Sequence, residues 1–208
     1  MRTTTLGNSG PTVGVIGLGC MGMSFAYDMA AARDDDASVA VIRKAFDLGA
    51  SLIVAADAYG QYTNEELVGR ALAGGYRERA VLATKVGVVT PAESSHRAGQ
   101  LPVDGSPEHV RASIDGSLRR LGVDHVDLYQ LHRVDPEVPL DDTWGAMAEV
   151  VSAGKARAIG LSQVGVEEIR RAGVKETSPR AQAPEQRIGW STALRWLLIT
   201  ANFDQPFT

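Results

Sequence analysis

SPEHVRASIDGSLRRLGVDHVDLYQLH, residues 106–132, contains one full helix-to-strand step, and the fold follows from how it is read. Ser106 offers a side-chain oxygen to the first free backbone N–H groups, and Pro107 suits the first turn because it has no N–H to leave unpaired. Val110, Ile114, Leu118 and Leu121 recur on one helical face, and Gly122 supplies the stop. VDLYQLH (126–132) then reads as a strand without the alternating polar pattern of a sheet with one wet face.

The same step repeats on both sides. Upstream, VGVIGLG (13–19), SLIVAA (51–56) and AVLATKV (80–86) read as buried strands. Between them, residues 38–49 predict a helix from Val39, Ile42, Ala45 and Phe46, with Ser38 as its cap, and NEELVGRALAG (64–74) predicts another opened by Asn64. Downstream come a helix around 141–153 bearing Trp144, Met147 and Val151, the strand ARAIGLS (156–162), and VEEIRRAG (166–173). Five strand–helix units predict a parallel sheet covered by helices. Periodicity alone leaves both an open sheet and a closed barrel available. The opening TTTLGNSGPTVG reads as a hairpin turning on Asn8, Gly10 and Pro11, and the stretch 87–105 as loop. After residue 173 the alternation stops: 175–189 reads as a polar linker, and 191–203 as a helix carrying Leu194, Leu197 and Leu198. The expected division is therefore 1–173 as the folded unit and 174–208 as a divergent tail.

A chain of 208 residues has room for one sizeable core. Its net charge of −4 gives no electrostatic reason to expect nucleic acid or an anionic membrane as partner. No apolar run approaches the ~20 residues of a membrane span, and the start MRTTTLGNSGP lacks a signal-peptide core, so cytoplasm is the expected compartment. Cys20 stands alone, which excludes an internal disulfide, and His96, His109, His125 and His132 lack metal-ligand spacing.

Two features carry possible chemistry. Gly17-Leu18-Gly19-Cys20-Met21-Gly22 is a literal dinucleotide-type glycine pattern after a strand. Its context fits poorly, because the next acidic strand end, Asp57, lies about 35 residues on rather than about 20. Tyr59, Lys85 and His132 each follow a strand-like run, so parallel strands would bring them to one face. Reduction of a carbonyl needs a proton at the oxygen. A tyrosine, with an ordinary pKa of about 10, becomes a better donor beside an ammonium, while an imidazole can orient the carbonyl.

GNSGPTVGVIGLGCMGMS, ADAYGQYTNEELVGRAL, ATKVG, EHVRASIDGSLRRLGVDHVDLYQLHRVD and GKARAIGLS, in that order across residues 2–173, resemble the aldo-keto reductases. The resemblance implies a (β/α)8 barrel closed at its base by an N-terminal hairpin, here incomplete at about five β/α units. It further implies NADPH bound without a Rossmann fold, and a small-molecule aldehyde or ketone as substrate. By position, Tyr59 would be the general acid, Lys85 the partner that lowers its pKa, and His132 the group that orients the carbonyl. Gly19, Cys20 and Met21 would line the nicotinamide end of the cofactor, and Ser162 with Gln163 would hold its carboxamide.

This chain departs from the family pattern at three places. Val54 stands where the family has the aspartate five residues before the tyrosine, and Asp57 is a candidate substitute; Gln163 follows Ser162 where Asn or Glu is usual. Beyond residue 173 the likeness ends, as in a C-terminally truncated or divergent member, which would leave open sheet edges suited to pairing two copies. Three functions follow. The first is a reductase impaired by Val54. The second is a non-catalytic ligand-binding or interaction remnant. The third is a redox-neutral cyclase or isomerase using Tyr59 and His132.

Overall fold

The computed structural model describes residues 1–6, 10–24, 34–89, 102–165, 168–169 and 171–172. A hairpin of β1 (Thr3–Thr5) and β2 (Thr12–Gly14) comes first, in antiparallel register with Thr4 opposite Val13. Five parallel strands follow: β3 (Leu18–Gly19), β4 (Leu52–Val54), β5 (Val81–Val86), β6 (Val126–Leu131) and β7 (Ala156–Leu161). The helices α1 (Asp35–Asp47), α2 (Thr63–Leu72), α3 (Pro107–Leu121) and α4 (Leu140–Ser152) connect them in alternation.

Strand order settles what periodicity left open. The sheet runs β3-β4-β5-β6-β7, each strand beside its successor, without the reversal that defines a doubly wound sheet. This is the order of a (β/α)8-type barrel wall. Among the described residues, the glycine pattern of residues 17–22 runs into a 3-10 turn, Met21–Met23, and its strand sits in a sheet without the order reversal at which a dinucleotide fingerprint works.

Successive residues of each strand feed two separate apolar clusters, which is why the strands read as continuous apolar runs. Leu52, Val54, Val81, Ala83 and Leu128 share one face, and Leu6 and Val13 of the hairpin plug its lower end. Ile53, Leu82, Tyr129 and Leu131 point the other way and meet Ile42, Phe46, Val68, Ile114 and Met147 from the helices. Helix α3 ends as its sequence predicts: Ser106 accepts from the His109 N–H at 3.2 Å, and Gly122 takes φ 67°. Trp144 is half-buried against the outer cluster.

Three local expectations are corrected. The run 13–19 is not one strand: Val13 serves the hairpin, Leu18 the sheet, and Ile16 between them is 61% exposed where the chain bends. Helix α1 starts at Asp35, capped by Asp34, whose carboxylate accepts from the Ala37 N–H at 2.8 Å, so Ser38 is not its cap. Asn64 lies inside α2 and is fully buried; the cap position is Tyr62. Of the 87–105 stretch, Val88 bridges Val103, and residues 90–101 lie outside the described residues. The expected tail and its helix at 191–203 lie outside them too. Among the described residues, no helix is long and apolar enough to cross a membrane.

Candidate active site

Parallel strands end at one mouth, and every residue singled out from the sequence lies at such an end. Gly19–Met21 close β3, Tyr59 follows β4, Lys85 lies near the end of β5, His132 follows β6, and Ser162 and Gln163 follow β7. The Lys85 ammonium donates to the Tyr59 hydroxyl at 2.9 Å. The His132 ring meets the Tyr59 ring edge-on, with centroids 5.5 Å apart. The phenol, amine and imidazole do converge.

Lys85 is 3% exposed, and its second hydrogen bond runs to the Ala55 carbonyl at 3.1 Å. Burial lowers its pKa to about 8, only partly opposed by nearby acidic groups. Val54 pairs with Ala83 on the inner face, one layer below Lys85, and its side chain contributes only apolar surface. Asp57 reaches Lys85 differently: its backbone N–H donates to the Lys85 carbonyl at 3.2 Å, its carboxylate accepts from the Ala58 N–H at 2.6 Å, and its charge acts on the ammonium without a side-chain hydrogen bond to it among the described residues. Its pKa is pushed well up, first by burial and then by the charge of Glu65.

His132 is anchored by its backbone N–H, which donates to the Val86 carbonyl at 2.8 Å. Burial, with Lys85 adding to it, holds its pKa at about 3, so the ring is neutral at ordinary pH. Its Nδ1 is buried without a partner among the described residues. Cys20 is fully buried, and burial pushes its thiol up to about 12, which leaves it unreactive. Its backbone shapes the mouth instead: the Cys20 N–H donates to the Val54 carbonyl at 2.9 Å, and its carbonyl accepts from Asn64 Nδ2 at 2.8 Å. Ser162 is buried, its N–H donating to the Leu131 carbonyl at 2.9 Å, while Gln163 is exposed at φ 53°.

Behind this mouth lies a polar group that the sequence reading missed. Glu65 on α2 is fully buried, accepting from Thr84 Oγ1 at 2.6 Å and from Arg120 Nε at 2.7 Å. The link ties α2, β5 and α3 together directly beneath the loop carrying Tyr59. A signal existed: Glu65, Val68 and Leu72 fall on one buried stripe, and a carboxylate on an apolar stripe requires a cationic partner.

The family model for the aldo/keto reductase family matches residues 15–185. The chain belongs to that family. Its likeness thus extends past residue 173, where the motifs alone had ended it. A probable aldo-keto reductase 1 from Glycine max is 40% identical over 172 residues, covering 83% of this chain and 48% of that relative. The chain therefore spans about half the length of that curated relative.

Two solved structures agree with the barrel assignment. The thermostable aldo-keto reductase Tm1743, in complex with the inhibitor epalrestat, matches with a TM-score of 0.70 at 30% identity, over 86% of this chain and 60% of that one. The holo form of aldo-keto reductase AKR11C1 from Bacillus halodurans matches with a TM-score of 0.68 at 31% identity, over 82% and 53%. The fold is the TIM-barrel type of the aldo-keto reductases, seen here as five parallel strands among the described residues.

Proposed function

We propose that this protein is an oxidoreductase that reduces an aldehyde or ketone to an alcohol with NADPH. The observation that carries the reading is the 2.9 Å hydrogen bond from Lys85 to Tyr59, with His132 against the same phenol. The mouth fits a nicotinamide: Gly19 is exposed and adds no side chain, Ser162 and Gln163 offer polar groups, and His132 Nδ1 is an unsatisfied buried atom. NADPH, when bound, supplies the hydride. Tyr59 then gives its proton to the developing alkoxide, Lys85 stabilises the phenolate left behind, and neutral His132 orients the carbonyl oxygen.

Binding is tested by titrating NADPH against protein fluorescence. Saturable quenching supports the reading. An absence of binding at millimolar cofactor would instead favour a non-catalytic remnant of the scaffold, the alternative that apolar Val54 beside Lys85 supports.

The missing carboxylate makes a directional prediction. A group with a pKa of about 8 loses its proton above that pH, so reduction should decline on the alkaline side of about pH 8 as Lys85 becomes neutral. Val54→Asp places an anion on the inner face near the ammonium, which favours the charged form. The alkaline limb should move upward, and the rate should rise more than about tenfold, toward the scale of a placed acid/base group. A pH–rate profile with both limb and rate unchanged would show that Lys85 is not the limiting group.

A further inference from the structure

The loop after Tyr59 carries a conformation that the reaction as described does not explain. Gly60, Gln61 and Tyr62 have φ values of 57°, 51° and 76°, three left-handed residues in succession. Glycine adopts this region freely; glutamine and tyrosine do so at a cost in strain, which persists only where the surroundings enforce it. Here they do. The Tyr62 N–H donates to the Asp57 carbonyl at 3.0 Å, and Thr63 Oγ1 donates to the Gly60 carbonyl at 2.7 Å. The Arg120 guanidinium lies over the Tyr62 ring, 4.5 Å from its centroid. Arg120 is in turn fixed by buried Glu65 at 2.7 Å. On the other side, a Cβ at Gly60 would lie 2.8 Å from Ser24 Cβ and 2.9 Å from its carbonyl oxygen, so the turn is pressed against the loop after β3.

We infer that Tyr62 is a positioning residue: clamped by Arg120, it holds the left-handed turn that sets the Tyr59 hydroxyl on Lys85. This rests on the proposed reductase reading for its kinetic consequence, but not for its structural one. Tyr59 lies between two fixed points. Its N–H donates to the Ala56 carbonyl at 3.2 Å, and its own carbonyl accepts from the Asn64 N–H at 3.3 Å, at the start of α2. Its side chain is only half-buried, so the loop backbone, more than packing around the ring, decides where the hydroxyl lies. Without the ring of Tyr62, the turn is free to relax to negative φ, and the start of Tyr59 moves with it.

The test uses Tyr62→Gly, which accepts the left-handed backbone without strain but deletes the clamped ring, and Tyr62→Phe, which keeps the ring. Tyr62→Asn is the second variant, since asparagine also tolerates this region. Two readouts are taken. The first is kcat and the KM for NADPH. The second is the ammonium resonance of Lys85 by 15N NMR, tractable because the chain has four lysines, Lys44, Lys85, Lys155 and Lys175, and assigned with Lys85→Met.

Tyr62→Gly and Tyr62→Asn are expected to melt close to the native chain and to shift the Lys85 resonance toward its position in Tyr59→Phe. They should lower kcat by roughly 10–10²-fold, the scale of a misplacement of about 1 Å, with KM for NADPH unchanged. Tyr62→Phe should match the native protein in both readouts. A Lys85 resonance that stays in place in both ring-deleting variants overturns the inference. So does a large loss of melting temperature, which would make the ring ordinary packing. If the resonance moves while no variant, nor the native chain, reduces carbonyls, the clamp stands and the reductase reading falls.

Discussion

Tyr59→Phe is expected to lower carbonyl reduction by ~10²–10⁴-fold, because it removes the proton donor and leaves the ring in place. The hydroxyl receives the Lys85 hydrogen bond at 2.9 Å, and no other phenol stands against His132 among the described residues. The contribution is made only as the alkoxide develops, so kcat and kcat/KM should fall together, with NADPH affinity preserved. Single-turnover measurement of NADPH oxidation checks this without interference from product release. Turnover at the native rate would place the proton donor elsewhere and end the assignment of Tyr59.

Arg120→Met should destabilise the protein by ~3–5 kcal/mol, the usual consequence of leaving one member of a buried ion pair alone. Glu65 is fully buried and accepts from both Nε and Nη2 of Arg120 at 2.7 Å, so its carboxylate would be stranded with only the Thr84 hydroxyl. Urea denaturation measures the loss. The double variant Glu65→Gln/Arg120→Met should recover much of it, because the stranded charge is gone. Additive losses in that cycle would show that the two side chains act independently. Arg120→Met also removes the cation above Tyr62, so its activity should fall further than its folded fraction explains.

Much of the barrel wall was readable because its signals were local. Ser106, Pro107, the Val110–Leu121 stripe and Gly122 all act within helix α3 or at its ends, and all four act as expected. Convergence of Tyr59, Lys85 and His132 was readable for a different reason: parallel strands must end on one side, whatever their packing. What escaped notice depended on distant partners or on backbone choice. Three consecutive aspartates, Asp34 to Asp36, precede the stretch 38–49 expected as helix, yet acidic groups suit a helix start, where Asp34 caps and Asp35 and Asp36 face the positive end of the dipole. The apolar run 13–19 had the right residues for one strand, but a bend at Ile16 divides it between hairpin and sheet. Gln61 and Tyr62 carry no glycine signature, so their left-handed turn is visible only with Arg120 and Glu65 beside it.

The successive strand order has a bearing on how the chain is made. Each of β4 to β7 pairs with the strand synthesised just before it, so among the described residues none of these ladders waits for a segment still inside the ribosome. Growth by such near-neighbour additions keeps the loop closed at each step short, and every newly emerged unit finds its docking edge already formed.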